Sequence, residues 1–370
     1  MINGDDRAAT SLSRGRAILI TSPDQITADW LTRRLRDGGY LSYFRVNDVR
    51  LIGREESGAA TRYNLRIRYS DISVTRSLPD NMILKVYRAG HPLADREVTF
   101  YRTILPAMRQ RFGEGDLGVS DAYDAFYDID ADQSHVLIAG IPTGYKEHRE
   151  AVPPTGRHFA QLAETIAKIH ASFWQNEHLG DLALTEAQLE DRLARQRDGF
   201  DRFLSDGMLR PDPDQRATLN AVAGRMPADF RESLLTGRHL TVIHNNLKPG
   251  NLVYSHRACR ILDWKDWRTG LPAEDLACLI AFHWPPAKRK FEEPRFLQRH
   301  WAEMKRHGVS DYAYEDYLRH YRRAIGLRLG EMIGSWRMED WRDGKWRLWD
   351  SILAGLCAFD EHDVKQLFPG

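Results

Sequence analysis

The segment of residues 242–264 constrains the chain most, because it sets a string of polar residues between two short apolar runs. Residues 242–254 have the sequence Val-Ile-His-Asn-Asn-Leu-Lys-Pro-Gly-Asn-Leu-Val-Tyr, and residues 261–264 are Ile-Leu-Asp-Trp. Short apolar runs that flank a stretch rich in Asn, Pro and Gly predict strands joined by a loop. The segment therefore predicts a strand–loop–strand unit whose loop is dense in polar side chains.

The spacing inside this unit indicates a particular chemistry. The pattern His-x-x-Leu-x-x-x-Asn runs from His244 to Asn251, and Asp263 follows about a dozen residues later. In phosphoryl transfer, such a loop presents a base to the acceptor hydroxyl, while an asparagine and a later aspartate hold Mg²⁺ on the nucleotide phosphates. The pattern predicts a kinase-like catalytic loop, with Asn251 and Asp263 as the oxygen ligands of Mg²⁺. The alternative is a polar turn in an unrelated fold.

One residue departs from this chemistry, because the position of the base holds Asn246 instead of an aspartate. An amide is neutral, cannot accept a proton at pH 7 and offers one carbonyl oxygen instead of two. Loss of a general base typically costs about 10²–10⁴ in rate. Three explanations stay open: a deliberate Asp-to-Asn change in an otherwise intact enzyme, a natural pseudokinase, or a slow enzyme that uses another base or substrate orientation alone.

Composition restricts the class of protein and its partners. The chain has 370 residues, 42% of them hydrophobic and 28% charged, with a formal net charge of +1. The near-zero charge gives no electrostatic case for nucleic acid or an anionic membrane as partner. No apolar run approaches the roughly 20 residues of a membrane span, and residues 17–20 are too short for a signal-peptide core. Three widely spaced cysteines without CxxC spacing predict a reducing compartment, so we expect a cytoplasmic protein.

The pattern of elements changes near residue 140. Residues 1–22 are predicted to form a flexible tail, and residues 23–140 a strand-rich N-lobe with inserted helices. Residues 141–370 are predicted to form a larger, mainly helical C-lobe that the strand–loop–strand unit interrupts. The predicted fold class is therefore α+β, with two lobes arranged as in protein kinases.

Together these features resemble the superfamily of small-molecule kinases that includes aminoglycoside phosphotransferases, choline kinases and ecdysteroid-kinase-like proteins. The resemblance extends from the catalytic segment to Trp30, to the cluster of Glu97, Phe100 and Tyr101, and to residues 162–170, and it covers about residues 24–360. It implies ATP, or GTP, and Mg²⁺ as cofactors, and a hydroxyl of a small organic molecule as the phosphoryl acceptor.

The resemblance also assigns roles to two lysines. Lys248 lies two residues after the base position, where protein kinases have a lysine near the γ-phosphate. Lys85 ends an apolar run, and in this fold such a lysine holds the α- and β-phosphates and pairs with a helix glutamate. Glu97 lies in a predicted helix twelve residues later and matches that partner. Without the catalytic loop, Lys85 would be interpreted as an ordinary solvated lysine.

Two further parts of the predicted nucleotide site rest on backbone groups. Residues 53–61 lie between two predicted strands, and Ser57 and Gly58 offer a hydroxyl and accessible amides to phosphate oxygens. Residues 136–141, with Ile138 at their centre, match the hinge strand that binds adenine through its backbone. The acidic pair expected after that strand is replaced by Ala-Gly-Ile, so the preferred nucleotide base stays open.

The remaining predictions concern the loop's support and the acceptor. His244 is predicted to brace the loop through hydrogen bonds, and Asp275 to cap the next helix. Four C-terminal tryptophans are interpreted as core packing or as an aromatic acceptor pocket: Trp336, Trp341, Trp346 and Trp349. Mixed charges in this region disfavour an aminoglycoside acceptor. The sequence thus predicts a small-molecule kinase, impaired by Asn246, with a nucleotide-binding pseudokinase as the alternative; the oligomeric state is not predicted.

Overall fold

The chain forms two compact units in a computed structural model, which describes residues 18–112, 116–147, 153–176, 185–205, 211–335 and 345–368. The first unit comprises the chain up to Glu147 together with Leu252–Trp267, and the second comprises His148–Asn251 and Arg268–Gly370. The strands are β1 Val46–Glu56, β2 Ala60–Tyr69, β3 Asn81–Tyr87, β4 Ala122–Asp128, β5 Gln133–Ala139, β6 Lys146–Glu147, β7 Thr241–Ile243, β8 Leu252–Tyr254, β9 Cys259–Ile261 and β10 Arg268–Gly270.

The helices are concentrated in the second unit. They are α1 Ala28–Asp37, α2 Arg96–Thr99, α3 Leu105–Phe112, α4 Gly156–Ser172, α5 Glu186–Ser205, α6 Pro213–Val222, α7 Ala228–Thr236, α8 Pro272–His283, α9 Pro286–Arg306, α10 Tyr314–Gly334 and α11 Lys345–Glu361. A π-helical turn, Phe100–Ile104, joins α2 to α3. None of the helices in the described part of the chain is long and apolar enough to cross a bilayer.

The first unit is built on a five-stranded antiparallel sheet with strand order β1-β2-β3-β5-β4. The central strand β3 is apolar on both faces, and Met82, Leu84 and Val86 are buried in the core. Such a strand must be covered on both sides. Lys85 in the same strand is only partly buried. The charged side chain of this otherwise apolar strand is therefore accessible to a ligand.

Helix α1 begins later than its apolar spacing predicts. The spacing predicts a helix over residues 24–35, but the side chain of Thr27 accepts the backbone N–H of Trp30 at 3.1 Å and makes Thr27 the N-cap. Such a cap satisfies a donor that the first helical turn leaves unpaired. The helix then buries Leu31 and Leu35 against the core of the first unit.

The predicted N-terminal tail, residues 1–22, extends too far, because its last residues are part of the folded unit. Ile20 is 1% exposed, belongs to the core of the first unit, and donates its N–H to Nδ1 of His135 at 3.1 Å. Burial of an apolar side chain beside a satisfied backbone group fixes this segment. Residues 1–17 lie outside the described residues.

Residues 252–267 belong to the first unit, whereas the sequence analysis assigned them to the C-lobe. β8 pairs with both β6 and β9. In addition, Ile261 donates its N–H to the carbonyl of Gly118 at 2.8 Å, and Arg260 forms an ion pair with Asp116 at 3.1 Å. These contacts attach the segment that carries Asp263 to the N-terminal part of the chain.

The second unit is mainly helical, with one short antiparallel pair formed by β7 and β10. Helix α8 is buried along almost its whole length, and it packs on α10 and α11. α4 packs on α9, and α5 packs on α10. The apolar sequence of α8, Leu-Ala-Cys-Leu-Ile-Ala-Phe after its acidic first turn, explains why it lies at the centre of this unit.

Candidate active site

A three-way ion cluster joins β3, α2 and the turn after β9 within the first unit. Nζ of Lys85 lies 2.7 and 3.1 Å from the two carboxylate oxygens of Glu97, and 2.9 Å from Oδ1 of Asp263. Glu97 is fully buried, while the side chain of Asp263 is 29% exposed. Burial lowers the pKa of Lys85, but the two carboxylates outweigh it and raise that pKa, so the ammonium stays charged.

The backbone at Asp263 is in an unusual conformation. Its φ of 67° and ψ of 67° lie in the left-handed region, which non-glycine residues seldom adopt. Burial raises the pKa of its carboxyl, but Lys85 and Lys265 outweigh that effect and hold the pKa well below its usual value. Asp263 is therefore a fixed, permanently ionised carboxylate, as a metal ligand must be.

Two tryptophans hold the Asp263 turn against the segment that carries Glu97. The indole of Trp264 stacks on Phe100, with ring centroids 4.3 Å apart and an interplanar angle of 8°. Trp267 donates its indole N–H to the carbonyl of Arg96 at 2.7 Å. Stacked aromatic pairs of this kind add about 0.5–1.5 kcal/mol beyond the burial of their surface, so the geometry of the ion cluster is supported by packing.

Tyr87 extends the cluster in a way that the sequence analysis missed. Its hydroxyl donates to Oε2 of Glu97 at 2.5 Å, and the side chain is fully buried. Burial, and then the carboxylate of Glu97, raise the pKa of Tyr87 far above its usual range, so the hydroxyl remains a donor. The signal was the spacing, because residues 85 and 87 point to the same face of β3.

The predicted phosphate-covering turn is a tight hairpin between β1 and β2. The hydroxyl of Ser57 donates to the carbonyl of Ala60 at 2.8 Å, and it accepts the N–H of the same residue at 3.1 Å. Ser57 therefore uses its hydroxyl to close the turn. A Cβ added at Gly58 would meet no heavy atom within 4 Å, so the tip of the turn is open to an approaching group.

The predicted hinge lies at the end of β5. Ile138 is buried and pairs with Ile83 of β3. Gly140 donates its N–H to the carbonyl of Asn81 at 3.1 Å, and a Cβ at Gly140 would lie only 2.3 Å from Oδ1 of Asn81. A side chain at position 140 would therefore force the side chain of Asn81 to move.

The catalytic loop, residues 244–251, lies in the second unit, where Asp275 supports it from α8. One carboxylate oxygen of Asp275 accepts the N–H of His244 and the other accepts the N–H of Asn245, each at 2.7 Å. Burial raises the pKa of Asp275, but its hydrogen bonds and neighbouring histidines outweigh burial and lower that pKa. The prediction that Asp275 caps its own helix was wrong, because Leu271 occupies the N-cap and Glu274 accepts its N–H at 2.9 Å.

Asp275 also ends a buried chain of hydrogen bonds that joins four helices. His170 of α4 lies 3.3 Å from Asp275 and 3.1 Å from His300 of α9, and His300 lies 3.1 Å from the hydroxyl of Tyr317 in α10. These three side chains are all buried. Through these hydrogen bonds, His170, at the end of a predicted amphipathic helix, supports the loop without being part of it.

Within the loop, backbone and side chains are hydrogen-bonded to each other. Nδ1 of His244 accepts the N–H of Asn246 at 3.2 Å, so this histidine braces the loop. The amide of Asn251 donates to the carbonyl of Asn246 at 2.9 Å, which leaves its oxygen as the group suited to a metal. Lys248 is partly buried and has no ion-pair partner within the described part of the chain.

Arg328 of α10 and His283 at the end of α8 are two further polar residues near the loop. Arg328 donates both to the side chain and to the carbonyl of Asn245, which has a φ of 64°. Burial, followed by the charges of Lys248 and Arg328, lowers the pKa of His283 to about 4, so its imidazole is neutral at pH 7. Sequence reasoning missed both residues, since neither belongs to a recognisable motif.

Of the four C-terminal tryptophans named in the sequence analysis, Trp349 is the one with a described side chain; it stacks on Phe203, with centroids 5.9 Å apart. Trp336, Trp341 and the side chain of Trp346 lie outside the described residues. The described residues contain no group of three or more His, Cys, Asp or Glu that could hold a metal ion.

A profile of the Phosphotransferase enzyme family (APH) matches residues 70–308, which include both the ion cluster and the catalytic loop. The chain belongs to this family. Comparison with curated protein sequences gives no match. The phosphotransferase resembles several solved structures in fold, at identities that establish the fold alone.

One similar structure is a provisionally named aminoglycoside phosphotransferase of Ralstonia eutropha JMP134, with a TM-score of 0.54 and 13% identity over 92% of this chain and 98% of the other. A choline kinase of Cryptosporidium parvum Iowa II has a TM-score of 0.52 and 13% identity, over 93% and 95% of the two chains. The aminoglycoside phosphotransferase APH(2")-IIia, solved with GDP and kanamycin, has a TM-score of 0.51 and 12% identity, over 91% and 99%. The predicted α+β, protein-kinase-like fold of the small-molecule kinases is confirmed.

Proposed function

We propose that this phosphotransferase transfers the γ-phosphoryl group of ATP, with Mg²⁺, to a hydroxyl of a small organic molecule. The observation that carries the proposal is the ammonium of Lys85, which contacts a buried helix carboxylate and the partly exposed carboxylate of Asp263 at the same time. In phosphoryl transfer by kinases, a lysine paired with a helix glutamate orients the phosphates, and an aspartate holds the metal ion. The contacts of Lys85 fit both requirements.

The proposed roles divide between the two units. In the first unit, Lys85 holds the α- and β-phosphates, Glu97 orients Lys85, and the open turn at Gly58 covers the phosphates. In the second unit, Lys248 approaches the γ-phosphate. Asn251 and Asp263 are proposed to hold Mg²⁺, which would neutralise phosphate charge when bound. The transfer is direct and in line: the oxygen of the acceptor hydroxyl bonds to the γ-phosphorus, the bond from that phosphorus to the β–γ bridging oxygen breaks, ADP leaves, and the hydroxyl proton is released to water.

The backbone of the hinge around Ile138 is proposed to bind the nucleotide base. GTP remains a candidate besides ATP, because APH(2")-IIia, a protein of the same fold, was solved with GDP. Because the segment after the hinge strand lacks the expected carboxylates, the preference for adenine or guanine depends on backbone donors and acceptors. We expect the enzyme to work in the cytoplasm, because its three widely spaced cysteines fit a reducing compartment.

The acceptor is proposed to be a small molecule without the dense positive charge of an aminoglycoside. The residues near the catalytic loop include Lys248, Arg328 and a neutral His283. Arg328 is paired with Glu331, so Lys248 is the cation of this group that would repel a polycation. The kanamycin in the APH(2")-IIia complex and the choline of choline kinases are therefore poor guides to this acceptor.

Asn246 sets the rate of the proposed reaction. Its amide can orient the acceptor hydroxyl through one hydrogen bond, but it cannot accept the proton that leaves the hydroxyl. The backbone of the loop is nevertheless fixed by Asp275 on the N–H side. Positioning and electrostatics supply much of the catalysis of phosphoryl transfer, so the remaining site supports slow transfer, and an aspartate at 246 supports fast transfer.

The test is to replace Asn246→Asp and to measure phosphorylation across a panel of hydroxyl acceptors with ATP and GTP. We expect a gain of about 10²–10⁴ in rate with the right acceptor. Asn220→Asp, an exposed change in α6, is the matched control and should leave the rate unchanged. Background turnover of Asn246→Asp with every acceptor would remove the main support for a kinase.

The second candidate is a nucleotide-binding pseudokinase that regulates or recruits another molecule, and Asn246 is the observation that favours it. It predicts a rise in thermal unfolding temperature with Mg-ATP in the native chain, and no gain in turnover from Asn246→Asp. The absence of any shift with ATP or GTP would contradict both candidates. The codon for residue 246 in the source gene distinguishes a deliberate change from a natural asparagine.

A further inference from the structure

We propose that Lys265 is a built-in cation that occupies the position of a second divalent ion at Asp263, so that the site needs only one Mg²⁺. This inference rests on the proposed nucleotide-binding function of the ion cluster, and it concerns a residue outside the predicted site. Lys265 was not recognised in the sequence analysis because a lysine in a polar turn is ordinarily solvated.

The two oxygens of Asp263 contact two different lysines. Oδ1 lies 2.9 Å from Nζ of Lys85, and Oδ2 contacts Nζ of Lys265. The same ammonium of Lys265 lies 3.3 Å from Oδ2 of Asp266. Lys265 thus lies between two carboxylates, and a divalent cation that bridged the pair would take the same position.

Local structure keeps Lys265 in this place. Trp264–Asp266 form one turn of 3-10 helix that starts from the left-handed Asp263. The indole of Trp264 is fully buried and donates to the carbonyl of Ile261 at 3.0 Å. Only 23% of the side chain of Lys265 is exposed. The turn that carries Lys265 therefore fixes the position of its ammonium.

The charges give this arrangement a consequence for cofactor use. Glu97, Asp263, Asp266, Lys85 and Lys265 together carry one net negative charge, whereas the same group without Lys265 carries two. A triphosphate that approaches the group is repelled less when Lys265 is present. A divalent ion that approaches Oδ2 of Asp263 must compete with the ammonium of Lys265. Lys265 should therefore strengthen nucleotide binding without metal and weaken metal binding without nucleotide.

Two binding measurements test this role, neither of which depends on turnover. Calorimetric titration gives the Kd of a non-hydrolysable ATP analogue in EDTA and in Mg²⁺. For Lys265→Met we expect the Kd in EDTA to rise about tenfold, so that the ratio of the two Kd values rises by at least that factor. Electron paramagnetic resonance of Mn²⁺, without nucleotide, should show tighter metal binding to Lys265→Met than to the native chain.

Three comparisons sharpen the experiment. Lys265→Arg keeps the cation and should retain the native ratio, and Lys265→Gln replaces Lys265→Met if the latter does not fold. Lys290→Met, an exposed change in α9, is the matched control. In the double variant Lys265→Met/Asp266→Asn, the gain in Mn²⁺ affinity should disappear, because only one carboxylate is left.

The outcomes separate this inference from the proposed function. Equal Kd ratios and equal Mn²⁺ affinities in the native chain and Lys265→Met would overturn the role of Lys265 while nucleotide binding stands. If no nucleotide binds to any of the proteins, the proposed function fails. The Mn²⁺ measurement then still decides the inference: tighter Mn²⁺ binding in Lys265→Met supports it, and unchanged binding overturns it.

Discussion

The guanidinium of Arg328 contacts both oxygens of Asn245: Nη1 donates to the side-chain oxygen at 2.7 Å and Nη2 to the backbone carbonyl at 2.9 Å. Asn245 has a positive φ of 64° and immediately precedes Asn246. A side chain at such a φ costs about 1 kcal/mol or more unless its surroundings stabilise it. The bidentate contact supplies that stabilisation and fixes the backbone that presents residue 246.

Replacement of Arg328→Met should lower both stability and catalysis. The side chain also forms a 2.7 Å ion pair with Glu331, but Glu331 keeps Arg192 and Arg268 as partners. The main loss is therefore that of the charged hydrogen bonds to Asn245, at about 1.5–3 kcal/mol. Urea unfolding at pH 7 measures this loss. In an Asn246→Asp background we expect kcat to fall at least tenfold, since the loop loses its fixed geometry.

Arg328→Lys tests the geometry of the contact, because a lysine cannot make the same bidentate contact. We expect it to recover part of the stability and little of the kcat. Arg295→Met is the matched control: Arg295 is exposed and pairs with Glu292 only three residues away, so its loss should stay within about 0.5 kcal/mol. Equal effects of Arg328→Met and Arg295→Met would contradict the positioning role.

Asp275→Asn should destabilise the loop from the opposite side. An amide has one acceptor oxygen, so one of the two N–H groups of residues 244 and 245 would be left without a partner, at a cost of about 1–3 kcal/mol. Chemical denaturation at pH 7 measures the difference, with the exposed Asp360→Asn as control. Because the pKa of Asp275 is lower in the folded chain, its contribution is present above the unfolded pKa near 3.9 and is lost as the pH falls through the folded value. A variant as stable as the native chain would contradict the proposed support.

Glu97→Gln should weaken nucleotide binding more than Tyr87→Phe does. The first change removes the buried negative charge that orients Lys85, and the second removes one neutral donor to that charge. Tyr87→Phe leaves the ion pair of Lys85 and Glu97 in place, whereas Glu97→Gln removes it. We therefore expect the Kd for Mg-ATP to rise about tenfold or more in Glu97→Gln and less in Tyr87→Phe, by calorimetric titration. The reverse order would show that Tyr87, and not Glu97, orients the lysine.

His283 predicts a pH dependence of stability. Its folded pKa of about 4 lies below the unfolded value near 6.5 because burial, Lys248 and Arg328 all disfavour the cation. The unfolded chain therefore binds a proton first, and stability falls as the pH is lowered from about 6.5 to 4, by on the order of 3 kcal/mol. His283→Leu should lack this part of the loss. Unfolding free energies of both proteins at pH 7 and pH 4.5 give the difference, and a constant difference at the two pH values would contradict the assignment.

The sequence predicted the parts of the site that lie in local patterns. The resemblance to small-molecule kinases implied the ion pair of Lys85 and Glu97, which the structure contains. The apolar runs around the catalytic-loop string predicted a strand–loop–strand unit, which β7 and β8 form, because such a pattern depends on local sequence alone. The roles of these residues in nucleotide and metal binding remain proposals.

The parts that sequence could not supply depend on contacts between distant segments. Arg328 meets Asn245 across 83 residues, and His170 meets His300 across 130. No local pattern marks either pair, since a buried arginine and a histidine in an amphipathic helix each have many ordinary uses. The N-cap of α8 was misassigned for a related reason: Asp275 is three residues inside the helix, and only the folded chain brings the loop to it.

The crossing of α5 and α10 depends on two glycines that a helix scale would disfavour, and it yields the last prediction. A Cβ at Gly199 would lie 2.3 Å from the carbonyl oxygen and 2.5 Å from the Cα of Gly334. Backbone atoms cannot move aside as a flexible side chain does, so Gly199→Ala forces the two helices apart. The usual gain of about 1 kcal/mol from alanine in a helix is outweighed by overpacking, which costs about 1–3 kcal/mol and sometimes more. We expect a net loss of unfolding free energy of about 1–2 kcal/mol.

Gly58→Ala, where an added Cβ meets nothing within 4 Å and φ is not positive, is the control and should change stability by less than about 0.5 kcal/mol. A Gly199→Ala variant that is more stable than the native chain would mean that the helices do not approach this closely.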